Sequence, residues 1–266
     1  NPGMKSPTTR RFAILELLAG RQRFVALLTL LAFASVCWAW IVAMSRDMYG
    51  PMEGAAAWMM TDAWDVRYLG LMWAMWAAMM AAMMLPSALP TLLLFVRAAR
   101  VQHEDPVAVH RIYALALGYL VVWALFSAAA TGLQWILASR ALLSTLMAPA
   151  SPGAAAAILL LAGGYQLTPL KQVCLRSCRS PLSFLLQQWQ PGWTGAFRMG
   201  LQHGSYCLGC CWALMLLLFA GGVMHLGVIL LLTGWILVEK LTPAGEMLAR
   251  ISGFALMAAA IWLLVR

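Results

Sequence analysis

Charge is what this chain lacks. Only 10% of its 266 residues are Asp, Glu, Lys or Arg, while 63% are hydrophobic, and the mean hydropathy is +0.81. A soluble domain of this length carries about a quarter charged residues, so no water-facing surface can be built from this composition. Recognisable enzyme patterns are missing as well: there is no nucleophile elbow, phosphate loop, HExxH or pair of intramembrane carboxylates. The absence of CxxCH excludes covalent haem attachment and leaves open a haem held by His or Met axial ligands. No internal repeat, low-complexity tract or soluble domain stands out. The net charge of +9 would point to nucleic acid in a soluble protein. Here no nucleic-acid partner is expected, and the excess reads as loop charge that sets membrane orientation.

What is present is a series of apolar runs, each about the 17–25 residues an α-helix needs to cross a hydrocarbon core. They fall near 24–45, 68–97, 112–137, 154–170, 203–221, 225–241 and 250–266. The expected fold is therefore an all-α, polytopic membrane bundle of about seven helices, a single membrane domain over 24–266 with lipid as its surroundings. Ahead of it, residues 1–23 hold Asn1, Pro2 and Gly3, which read as a tag remnant before Met4. The basic stretch that follows contains Lys5, Arg10, Arg11, Arg21 and Arg23. No small-x-small cleavage site follows, so the first run reads as a retained helix. With the N-terminus in the cytoplasm, fourteen of the Lys and Arg residues lie inside, leaving Arg46, Arg67, Arg140 and Arg266 outside. That bias predicts an N-in, C-out topology in a bacterial inner membrane.

Two runs should not be straight. The second carries Pro86 and Pro90 in "MLPSALP" and is expected to kink. The fourth holds Gly163 and Gly164 and then "YQLTP", so it should end or bend near Pro169. Two connections also carry content. Residues 46–67, expected outside, hold Asp47, Glu53, Asp62 and Asp65 with Met48, Met52, Met59 and Met60. Residues 171–202, expected inside, contain no acidic residue, and their "PLSFLLQQW" suits a short amphipathic helix at the interface.

The densest chemistry is "HGSYCLGCCWALM", residues 203–215. At about 100° per residue, Met199, His203, Cys207 and Cys210 share a helical face within roughly an 80° arc, with Cys211 off it. Cys174 and Cys178 in "CLRSC" stack on one face if that segment is helical. The topology puts both groups at the same cytoplasmic boundary. Cys174, Cys178, His203, Cys207, Cys210 and Cys211 are thus candidate metal ligands. Thiolates on one element facing thiol and imidazole on another hold Zn²⁺ in a tetrahedron, or Cu(I) on two or three sulfurs. Cys37 stands alone and reads as a small core residue. Cys174–Cys178 is a poor internal disulfide, because helical i,i+4 residues lie farther apart than the roughly 3.8 Å a bridge prefers between Cβ atoms. A CxxC at a helix start can also serve as a redox pair, which keeps a thiol–disulfide oxidoreductase in play.

A second sulfur-rich stretch is "LMWAMWAAMMAAMML", residues 71–85. Met72, Met75, Met79 and Met83 share one face, with Met80 and Met84 on its flank. Thioethers tolerate an apolar setting and bind Cu(I), but bind Zn²⁺ poorly. If a metal is involved, these methionines favour copper. The topology places them in the outer half of the second span, across the membrane from the cysteines, as a path for an inward-moving soft cation. The competing reading is packing, since methionine is an adaptable gap-filler. Elsewhere, Glu239 and Lys240 in "WILVEKLTP" are either functional or snorkel to the interface. Tyr165, Gln166 and Thr168 either line the cluster or bond to the free backbone groups of a broken helix. His103, His110 and His225 read as loop residues. Gly200 and Gly204 form a small-xxx-small face for close helix approach.

Taken together, "MLPSALP", "YQLTPLKQVCLRSCRSP", "MGLQHGSYCLGCCWALM" and "EKLTPAGE" resemble a bacterial family described as predicted metal-binding integral membrane proteins. Some of its members are labelled copper chaperone-like. The resemblance covers roughly residues 68–266. It implies metal binding by Cys174, Cys178, His203, Cys207, Cys210 and Cys211, with Glu239 and Lys240 in a supporting motif. The expected function is binding of a soft metal, Cu(I) first with zinc and haem as alternatives, for transport or delivery. Its partners would be a copper-donating or copper-accepting protein, with a homo-oligomer or larger membrane complex also open. The runner-up is the oxidoreductase, using Cys207 and Cys210 with Cys174 and Cys178. A third reading is a scaffold subunit with structural zinc or haem. Joint replacement of Met75, Met79 and Met83 by Leu should lower copper binding by the purified protein. Unchanged binding would remove the methionine face from any metal path.

Overall fold

A computed structural model describes residues 7–50, 64–101, 109–141 and 151–265. Among these residues the chain forms ten helices and no strand, the only way an open chain can satisfy its own backbone in an apolar solvent. The long helices come first: α1 (Pro7–Met48), α2 (Val66–Val101) and α3 (Val109–Ser139). Next are α4 (Pro152–Gln166), α5 (Pro169–Arg179), α6 (Pro181–Gln187) and α7 (Gly192–Met215). The last are α8 (Leu217–Gly221), α9 (Leu226–Leu241) and α10 (Gly245–Val265). Five segments are long and apolar enough to cross a membrane, within α1, α2, α3, the α7–α8 unit and α10, and the bent α4–α5 pair makes a sixth. Among the described residues, length and composition thus support five or six crossings, where about seven were expected. The run expected to be the sixth span is α9, only 16 residues long, where about 20 are needed for a full crossing.

Several helix starts are written in dipeptides. Ser151 precedes Pro152, and its hydroxyl accepts the N–H of Ala154 at 3.2 Å. Thr168 precedes Pro169, and its hydroxyl accepts the N–H of Lys171 at 3.3 Å. Proline is preorganised for the first helical position, while Ser or Thr before it satisfies an orphan donor. At the start of α9 the Nδ1 of His225 takes that role for the N–H of Val228, at 3.3 Å. His225 is therefore a helix cap.

The prolines inside the apolar runs behave differently from one another. α2 continues through Pro86 and Pro90 as one helix. Pro86 has no N–H, so the carbonyl of Ala82 loses its helical partner. The indole of Trp38 on α1 donates to that carbonyl at 3.1 Å, so the defect becomes a tie between helices. At Pro169 the chain does bend, by 65° between α4 and α5. The carbonyl left without its helical donor there is that of Tyr165. Thr168 supplies it twice, through its N–H at 3.0 Å and its hydroxyl at 2.8 Å.

α7 packs closest to α3, through glycine. A Cβ on Gly200 would overlap the carbonyl of Leu115, one on Gly118 would overlap that of Phe197, and one on Gly204 would meet Val122 at 2.9 Å. The small-residue face read from Gly200 and Gly204 is therefore real, and α3 is what it admits. α3 is tied in turn to α2, where the indoles of Trp73 and Trp76 donate to the Ala124 carbonyl at 3.0 Å and to buried Gln134 at 2.7 Å. On the other side α4 meets α10, where a Cβ on Gly163 would lie 2.8 Å from the Gly253 carbonyl. α6 does not simply lie along an interface. Its Phe184 is buried and packs on the rings of His203 and Tyr206, at 5.4 and 6.1 Å between centroids.

The packing makes Gly200→Ala an over-packing change against backbone, expected to destabilise by about 1–3 kcal/mol and to lower the melting temperature in detergent. Gly234→Ala, which meets nothing within 4 Å, is the matched control and should hold or raise it.

Candidate metal centre

α7 begins at Gly192, about three turns before His203. Cys207, Cys210 and Cys211 therefore lie about four to five turns into the helix, where the sequence pattern put them near its start. The polar look of "GWTGAFRMGLQ" hid the first half of this helix. Four further elements meet α7 at this depth: α2 from Met84 to Thr91, α3 at Tyr119, α5 at its two cysteines, and the last turn of α9.

Cys207 is the hub. Its sulfur lies 3.0 Å from the Tyr119 hydroxyl and 2.9 Å from the Lys240 ammonium. The Tyr119 hydroxyl donates to the Met84 carbonyl at 3.0 Å, and the Lys240 ammonium to Ser87 at 3.2 Å. Cys210 and Cys211 turn their thiols back toward the Cys207 carbonyl, at 3.1 and 2.9 Å. The sulfurs of Cys210 and Cys178 are 3.9 Å apart, and those of Cys211 and Met84 are 4.0 Å apart. All six cysteines are free thiols. Cys174 packs against the α7 backbone, with its sulfur 2.7 Å from where a Cβ on Gly209 would stand. Tyr165 donates to the Gly209 carbonyl, so α4 through Tyr165 and α5 through Cys174 both rest on α7 at Gly209.

His203 lies one turn from Cys207, and its Nε2 pairs with Thr91 Oγ1 at 3.2 Å. Its other ring nitrogen, Nδ1, is buried and has no hydrogen-bond partner. Met199 does not face the thiols in the same way, since its sulfur accepts the backbone N–H of Gln190 at 3.4 Å.

The methionine face is buried throughout: Met72, Met75, Met79, Met80, Met83 and Met84 are each at most 2% exposed. It is not separated from the cysteines across the membrane, as the topology suggested. Met84 touches Cys211, and the face runs from that contact back to Met72, about 18 Å along α2. Of the methionines in residues 46–67, Met48 is buried, while Met52, Met59 and Met60 fall outside the described residues, as do Glu53, Asp62 and His103. His110 is exposed on α3.

Glu239 and Lys240 do not snorkel. They are 2% and 7% exposed, and each grips a different helix. Glu239 pairs with buried Lys171 of α5 at 2.7 Å. Its other oxygen accepts from Gln166 and Trp235, both at 2.8 Å, and from Ser252 at 3.4 Å. Gln166 thus serves the carboxylate, and Thr168 serves the broken helix. Sequence reasoning missed Tyr119, Thr91, Ser87 and Lys171. The first three look like ordinary helix-interior polar residues, and Lys171 like one more loop charge.

Among the described residues no three His, Cys, Asp or Glu side chains surround a common point as they stand. What the geometry offers is sulfur in pairs. Two sulfurs each about 2.3 Å from one ion are about 3.8 Å apart at a tetrahedral angle and 4.6 Å in line. Both the Cys178–Cys210 and Cys211–Met84 spacings lie in that range. Soft donors, one thioether and an orphaned imidazole nitrogen fit a soft monovalent ion better than a hard cation.

Residues 73–263 match the model of the PpoB2 family, whose description is copper chaperone. No curated protein matches the chain, and no solved structure does.

Replacing Lys171 by Met would strand a buried carboxylate, at about 3–5 kcal/mol. Thermal unfolding in detergent should fall sharply, and adding Glu239→Gln should restore part of the loss. An unaffected single variant would contradict the pairing.

Proposed function

This chain belongs to the PpoB2 family of copper chaperones, and from that premise we propose that it holds Cu(I) inside the membrane at Cys178, Cys207, Cys210 and Cys211. The carrying observation is that two sulfur pairs at bridging distance, Cys178–Cys210 and Cys211–Met84, each join α7 to a separate helix, and Met84 ends the methionine face there. His203, with its unpartnered Nδ1, is a further donor one turn away. Cys174 anchors α5 and lies within reach of the same centre.

The direction of movement follows the charge bias. With the N-terminus inside, α2 begins outside, so Met72 lies toward the outer surface and Met84 deeper. Thioethers bind Cu(I) weakly and thiolates bind it tightly, so an ion moving from Met72 to Cys211 runs toward stronger donors. Release on the far side would use Cys178, the half-buried thiol. Its chain neighbours Arg176, Ser177 and Ser180 line an open cleft of about 240 Å³, with Ser183, Phe184 and Tyr206 among the other walls. From this cleft a copper-accepting protein or small thiol can collect the ion by ligand exchange. An inner-membrane location suits that role.

The residues divide the work. Cys207 and Cys210 bind, Tyr119 fixes the Cys207 sulfur against the Met84 carbonyl, and Phe184 shields His203 from the cleft. The purified protein loaded with Cu(I) under reducing conditions should retain stoichiometric copper. The Cys207→Ser, Cys210→Ser variant should lose it, and Tyr119→Phe should weaken binding by about tenfold. Reversible disulfide formation without copper retention would instead assign the cysteines to thiol redox chemistry.

A further inference from the structure

The buried lysine beside the thiols has a counterion problem. Lys240 follows Glu239 in sequence, yet that carboxylate is taken by Lys171 at 2.7 Å, with three further donors on it. The contacts of the Lys240 ammonium are the Cys207 sulfur at 2.9 Å and the Ser87 hydroxyl at 3.2 Å. An ammonium inside an apolar bundle needs a nearby negative charge, and in this position sulfur is the group that can carry one.

We infer that Lys240 sets the charge of the ion this site accepts, favouring monovalent over divalent metal. This rests on the copper-binding reading above and adds selectivity to it. Two thiols that bind an ion release two protons to solvent and leave two negative charges. A monovalent ion and the Lys240 ammonium cancel them, and the buried site is neutral. A divalent ion with the same donors leaves one uncompensated positive charge in a low-dielectric interior, which is costly. Two thiolates are what the geometry offers, since no three anionic or imidazole donors surround one point among the described residues. Met84 adds a donor without charge. The Glu239–Lys171 pair is neutral as a unit and leaves the count unchanged. Glu239 and Lys240 thus have separate tasks: one closes the bundle around α5, and the other tunes the sulfur site.

The test is competitive metal binding by the full chain in detergent, with Ag(I) as a redox-inert monovalent probe and Zn(II) as the divalent one. Equilibrium dialysis and metal analysis give the Ag(I)-over-Zn(II) preference. Lys240→Met should reduce that preference by at least about tenfold relative to wild type, while Lys240→Arg, which keeps the charge, should retain it. Ser87→Asp, which sets a carboxylate beside the ammonium and cancels it, should act in the same direction as Lys240→Met. It also supplies the reading if Lys240→Met does not fold. An unchanged or increased preference in folded Lys240→Met, or in Ser87→Asp, overturns the inference while leaving copper binding intact. A wild-type protein that retains neither Ag(I) nor Cu(I) overturns the copper-binding reading itself, and this inference with it.

Discussion

Glu239 and Lys240 stand side by side at the end of α9, and the apolar interior allows neither to remain unanswered. A helix turns successive side chains about 100° apart, so the two cannot serve the same neighbour. The carboxylate reaches α5 through Lys171 and the ammonium reaches α7 through Cys207. That single dipeptide therefore fixes the two cysteine-bearing helices relative to one another. Much of the rest follows from it. The α4–α5 bend is needed to bring Lys171 inward, and Gln166, just before the bend, completes the shell around the same carboxylate. The close α3–α7 approach permitted by Gly118 and Gly200 brings Tyr119 within reach of Cys207.

This arrangement makes the sulfur centre part of the bundle's packing rather than an appendage to it. Cys207 touches groups from α3 and α9, and Cys211 touches α2. A chaperone must hold its ion and also release it. A centre whose donors come from several helices can do both, because a small shift of one helix removes one sulfur at a time. α5, short and attached through a bend, carries the half-buried Cys178.

Much of this was legible in the sequence, and the parts that were not have physical reasons. Helical class and membrane character follow from composition and run length alone. The break at Pro169 was visible because Thr-Pro both ends one helix and caps the next. By contrast, Pro86 and Pro90 predict only a kink. The helix runs on through both, and Trp38, far away in sequence, supplies the missing donor to Ala82. The cysteines were found by spacing, since i, i+3 and i+4 positions share a helical face. The sequence pattern starts the helix that carries them near His203, because Gly, Thr and Gln at the start of α7 lower its hydropathy without ending the helix. The fates of Glu239 and Lys240 could not be read locally at all, since their partners lie 68 residues and 33 residues away.

The family assignment supports copper handling, and the ion is proposed to sit among the paired sulfurs of α2, α5 and α7. The most direct measurement is X-ray absorption at the copper edge of the reduced, Cu(I)-loaded full chain. The account predicts a first shell dominated by sulfur at low coordination number, changed when Cys207 and Cys210 are replaced by serine. A shell of nitrogen and oxygen, or a sulfur shell indifferent to those two substitutions, would contradict it.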